Sequence, residues 1–163
     1  MHIEPFYNLL VVQFMALKIG SIAPNFDLKS TGEKSSVSST DLKGKEFILY
    51  FYPKDFTPGC TAEACEFRDQ FEAFRELDIP IFGISKDTIL THERFKKEHK
   101  LPFELLSDPN GEVCKAYDAL IPLIRMPKRV TYFIDKDYKI AAVFSDMFES
   151  KRHIEAMLGS LVE

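Results

Sequence analysis

Apolar runs of strand length alternate along the chain with longer stretches whose apolar positions recur at helical spacing. Glu46–Tyr52 (EFILYFY) is one such run, closed by Pro53, and Ile79–Ser85 (IPIFGIS) is a second. Between them Thr57–Leu77 reads as a helix. Val130–Asp135 and Lys139–Phe144 flank the turn-forming Asp135-Lys136-Asp137 and predict a β-hairpin. Asn25–Leu28 and Ser35–Val37, around Thr31-Gly32, predict a short N-terminal hairpin. Further helices are expected over Ile89–His99, Gly111–Tyr117 and Ser150–Leu161. Strands alternating with helices define an α/β domain, and no repeat or low-complexity linker divides it.

Length and composition narrow the class. A chain of 163 residues, 45% hydrophobic and 28% charged, is long enough for one domain with a continuous core. The net charge of -4 and the lack of a Lys/Arg cluster argue against nucleic acid as the main partner. Leu9–Leu17 is apolar apart from Gln13, but Glu4 rather than Lys or Arg precedes it, unlike a secretory signal. The run is also too short to span a bilayer. The expectation is an N-terminal extension over 1–14, a domain over 15–163 and no membrane association. Three cysteines are too few and too oddly numbered for a secreted disulfide scaffold, which points to a reducing, cytoplasmic setting.

The candidate chemistry lies at residues 50–69, YFYPKDFTPGCTAEACEFRD. Thr57 suits an N-cap and Pro58 the first helical position. Cys60 then falls in the first turn, where unpaired N–H groups and the helix dipole favour a thiolate. With Cys60 set at zero on a helical wheel, Ala64, Phe67, Phe71 and Phe74 fall within about 40° of it, on the apolar stripe. Cys65 falls at about 140°, beside Glu72 and Glu76 on the charged side. On an intact helix the two Cα atoms are roughly 8.7 Å apart, beyond the ~7 Å limit for a disulfide. Any bond between them therefore requires the first turns to unwind. A buried cysteine is ordinarily an inert small hydrophobe, and Cys114 reads as a partly buried helix residue of that kind. The spacing of Cys60 and Cys65 does not fit zinc, and His92, His99 and His153 complete no ligand pattern with them.

Pro53-x-x-x-Thr57-x-x-Cys60 resembles the active-site motif of peroxiredoxins, and PKDFTPGCTAEACEFRD resembles the PrxQ branch, or bacterioferritin comigratory proteins. IGSIAPNFDL, LPFELLSDPNG and KRVTYFID extend the likeness over nearly everything from Met15 onward. The resemblance implies a thioredoxin-like fold, a central mixed sheet flanked by helices. It makes Cys60 the peroxidatic cysteine and Cys65 the resolving one, with Thr57 and Arg129 meeting at the thiolate and Pro53 shielding it. Arg129 directly precedes VTYFID, as the family's arginine does. Arg125 is the alternative, because YDALIPLIRMPKR is shorter than the matching segment in many members of the branch.

The implied activity is a thiol peroxidase reducing hydrogen peroxide and alkyl hydroperoxides. Cys60 becomes a sulfenic acid, Cys65 resolves it as an intramolecular disulfide, and thioredoxin or a similar dithiol restores both thiols, with no metal or organic cofactor. A monomer or weak homodimer is expected. Lowering a thiol's pKa gains thiolate but loses nucleophilicity, so acidity alone yields only a modest advantage. Oriented donors at the peroxide have to supply the rest. A general thiol–disulfide oxidoreductase and a redox-switched sensor or holdase are the competing readings on the same fold.

Overall fold

The computed structural model describes residues 16–145 and positions 154, 157–159 and 161 of a C-terminal helical segment. The extension over 1–14, the domain start at Met15 and most of the helix expected over Ser150–Leu161 lie outside the described residues. Among those described, the strands are β1 (Asp27–Ser30), β2 (Ser36–Ser38), β3 (Phe47–Phe51), β4 (Ile81–Ser85), β5 (Glu104–Ser107), β6 (Val130–Ile134) and β7 (Ile140–Ser145). The α-helices are α1 (Pro58–Asp69), α2 (Phe71–Glu76), α3 (Ile89–His99) and α4 (Glu112–Ala116).

One mixed sheet runs in the order β2-β1-β5-β4-β3-β6-β7. β3, β4 and β5 are parallel, while β6 lies antiparallel to β3 and β1 antiparallel to β5. All five residues of β3 are buried, and a strand covered on both faces reads as an unbroken apolar run. Phe47, Leu49 and Phe51 pack into one core cluster with Tyr117, Val130 and Tyr132. Ile48, Tyr50 and Tyr52 pack into the other, with Cys60, Ala64, Phe67, Phe74 and Phe95. The alternation of strand side chains thus assigns α1 and α3 to the same face of the sheet.

Two elements depart from the expectation. The helix read over Thr57–Leu77 is broken at Gln70, whose φ of -96° and ψ of 3° end α1 and start α2. The break leaves Phe74 fully buried and Phe71 only half-buried. β5 was not expected as a strand at all, yet it joins β1 to β4 in the sheet. Its four residues are too few to display a period, and Leu105 and Leu106 enter opposite core clusters.

Candidate active site at the start of helix α1

Parallel β3 delivers the chain to α1 at the carboxyl edge of the sheet, where open α/β sheets place their sites. Thr57 occupies the N-cap position with extended dihedrals, φ -75° and ψ 147°, and Pro58 follows as the first helical residue. The Thr57 side chain does not cap the helix; its hydroxyl donates instead to the Lys54 carbonyl at 2.8 Å. That contact consumes its proton and leaves the oxygen's lone pairs to accept. Cys60, in the first turn, is only 2% exposed. Pro53 lies beside a cleft of about 300 Å³ shared with Lys54, Ile124, Met126 and Pro127.

Arg129, at the entry to β6, reaches the sulfur: its Nη2 donates to Cys60 Sγ at 3.3 Å. The other arm, Nη1, donates to Glu63 Oε1 at 2.8 Å. Both arms of the guanidinium fork are used, so its plane is fixed relative to the thiol. A Cβ on Gly59 would stand 3.1 Å from Nη2, so a larger residue before Cys60 would require the arginine to give by a few tenths of an ångström. Arg125, the alternative arginine, is exposed and donates through Nη2 to the Asn110 carbonyl. The structure brings Arg129, and not Arg125, to Cys60.

Burial opposes the charge on Arg129, but Glu63 and the Cys60 sulfur outweigh it and raise its pKa. Glu63 is fully buried, and burial pushes its carboxyl from the ordinary 4.5 up to about 7, with Arg129 pulling it back part of the way. The folded protein therefore holds this proton more tightly than the unfolded chain. The stabilisation is complete below about pH 4.5 and is lost as pH rises through about 7. Glu63→Gln keeps an acceptor for Arg129 and removes the titration. Denaturant unfolding at several pH values should show the parent losing on the order of 3 kcal/mol relative to the variant across that interval. Parallel pH profiles would mean that Glu63 does not hold its proton in the folded state. Sequence reasoning missed Glu63, although a carboxylate at about 300° on the wheel, next to Phe74 at about 320°, was the available signal.

Cys65 is not on an open charged surface. It is half-buried, and its Sγ lies 4.0 Å from His99 Nδ1. The C-terminal end of α3 covers this side of α1, secured by Arg68 Nη1 donating to the His99 carbonyl at 2.8 Å. Cys114, expected to be partly buried, is fully buried; burial and then Asp108 push its thiol pKa well up. All three cysteines are free thiols. Asp55, Asp87 and His92 form a cluster of potential metal donors. However, Asp55 Oδ2 lies 2.5 Å from His92 Nδ1, whereas two ligands of one tetrahedral zinc stand about 3.4 Å apart. The spacing is that of a direct hydrogen bond between the two side chains.

The profile of the AhpC/TSA family matches residues 19–143. The chain belongs to that family. Within AhpC/TSA it resembles the Bcp and peroxiredoxin Q proteins. It is 41% identical over 154 residues to peroxiredoxin Bcp of Bacillus subtilis, an alignment covering 90% of this chain and 96% of that one. Chloroplastic peroxiredoxin Q of Gentiana triflora is 37% identical over 158 residues, with 96% and 72% covered. Among solved structures, peroxidoxin BcpB of Mycobacterium tuberculosis superposes with a TM-score of 0.82 at 33% identity, covering 90% of this chain and 97% of that one. A PrxQ cysteine-to-serine variant from Xylella fastidiosa gives 0.79 at 27% identity, covering 90% and 96%. The mixed seven-stranded sheet with flanking helices is thus the thioredoxin-like architecture of these peroxiredoxins. Among the described residues, no helix is long and apolar enough to cross a membrane.

Proposed function

We propose that the thiol-peroxidase activity carried by membership of the peroxiredoxin branch runs through Cys60, with Arg129 and Thr57 orienting the peroxide and Cys65 resolving the product. The observation that carries this reading is the Arg129 guanidinium, held by Glu63 with one arm on the Cys60 sulfur. The thiolate attacks the terminal oxygen of the hydroperoxide; the S–O bond forms as the O–O bond breaks, and the departing alkoxide takes up a proton. Arg129 donates to the oxygens as charge moves onto them. Thr57, its own proton committed to Lys54, accepts from the peroxide O–H. Pro53 shields the sulfur. The substrates in this reading are hydrogen peroxide and alkyl hydroperoxides.

The sulfenic acid then condenses with the Cys65 thiol, forming S–S and releasing water. Cys60 and Cys65 face different sides of α1, so its first turns unwind for this step. The segment released takes Cys60, Glu63 and Ala64 out of the core and breaks the Glu63–Arg129 bond, while Phe67 remains to hold the rest of the helix. An external dithiol, thioredoxin or a similar protein, reduces the disulfide in a reducing, cytoplasmic compartment. The test is NADPH consumption with thioredoxin, thioredoxin reductase and either hydrogen peroxide or cumene hydroperoxide. Turnover that disappears in Cys60→Ser is expected; no turnover with either peroxide would overturn the reading.

A further inference from the structure

Asp55 and His92 have no role in this route, yet both side chains are wholly inaccessible. His92 Nε2 stands 3.0 Å from the Leu106 carbonyl, which can only accept, so Nε2 carries a hydrogen. Nδ1 faces Asp55 Oδ2 at 2.5 Å. Asp55 Oδ1 accepts from the Tyr52 hydroxyl at 2.5 Å, and that hydroxyl also stands 3.4 Å from Nδ1. The arrangement is a buried Asp–His pair in which every side-chain polar atom has a partner. The Asp55 backbone N–H donates to Asp87 Oδ2 at 2.9 Å, and Asp87 is itself held by Ser85 Oγ at 2.5 Å.

The next residue, Phe56, has a φ of 66°, a left-handed backbone unusual for a bulky side chain. Its ring lies 5.1 Å from that of Phe95 and 5.6 Å from the Arg94 guanidinium carbon. His92, Arg94 and Phe95 all belong to α3, so one helix grips the loop at two successive residues. Strained backbone persists where its surroundings over-determine it.

We propose that the Asp55–His92 pair is the fixed anchor of the Cys60 loop. It positions Pro53–Thr57 against α3 while α1 unwinds beyond them, so Pro53 and Thr57 keep their places whichever form α1 takes. The kinetic consequence rests on the peroxidase reading; the structural one does not.

Two isosteres test the pair in the full chain. His92→Asn puts an amide nitrogen where Nδ1 stood and still donates to Asp55. His92→Gln puts it where Nε2 stood, serving Leu106 and leaving Asp55 Oδ2 without its donor. Single-turnover oxidation of Cys60 by hydrogen peroxide and hydrogen exchange of the reduced protein are the readouts. In His92→Gln, oxidation should slow and exchange over residues 53–57 should quicken, each by roughly 10-fold or more, with His92→Asn within about 3-fold of the parent. Asp55→Asn should behave as His92→Gln does. The anchor is refuted if His92→Gln matches the parent, or if the two isosteres fall together. It is equally refuted if exchange rises across the whole sheet, or if none of the variants folds, since the pair would then serve the fold at large. A parent that ignores peroxide defeats the peroxidase reading alone, because exchange still decides the anchor.

Discussion

Arg129→Lys is expected to slow the oxidation of Cys60 by roughly 100- to 1,000-fold, the usual cost of losing one oriented donor at a developing charge. The parent guanidinium bonds Glu63 at 2.8 Å with one nitrogen and the Cys60 sulfur at 3.3 Å with another. A lysine ammonium keeps the positive charge, so Glu63 is not stranded in the core, but a single flexible nitrogen cannot reproduce the planar fork. The loss should therefore appear in the peroxide reaction, read by stopped flow, with little change in unfolding midpoint. A lysine variant that reacts at the parent rate would show that positive charge suffices and that donor orientation plays no part. Truncation to alanine is a poorer test, because removing one partner of a buried ion pair costs about 3–5 kcal/mol and mixes folding with catalysis.

Cys65→Ser should divide the cycle in two. The first oxidation of Cys60 is expected at the parent rate, since Cys65 lies against His99 on another side of α1 and does not touch the Cys60 sulfur. Turnover with thioredoxin should fall to the uncatalysed background, and Cys60 sulfenic acid should persist until a dimedone-type probe traps it or further peroxide carries it to the sulfinic acid. Unimpaired turnover in this variant would remove Cys65 from the resolving role. It would direct attention to a second copy of the chain, since Cys114 is buried in the opposite core cluster.

What could be read from the residues was local. The helix start at Thr57-Pro58, the first-turn position of Cys60 and the buried strand Phe47–Phe51 each depend on neighbours in sequence, and each appears in the fold. The likeness of KRVTYFID to the family's segment picked out Arg129 over Arg125, although nothing in the charge of either residue distinguishes them. What escaped was set by tertiary contact. β5 acquires its strand character from pairing with β1 and β4. Glu63 is tolerated in the core because Arg129, 66 positions away, meets it. Cys65 lies on the polar side of its wheel, but the end of α3 closes over it. Asp55 and His92, 37 positions apart, become a pair only when the loop folds onto α3.

The most direct measurement treats fully reduced protein with one equivalent of hydrogen peroxide, quenches it within about a second and maps the cysteines by mass spectrometry. A Cys60–Cys65 disulfide with Cys114 still a free thiol is the expected product, and it requires the oxidation and the unwinding of α1 together. Unreacted Cys60 would contradict the peroxidase account, and a bond from Cys60 to Cys114 or to a second subunit would contradict resolution by Cys65.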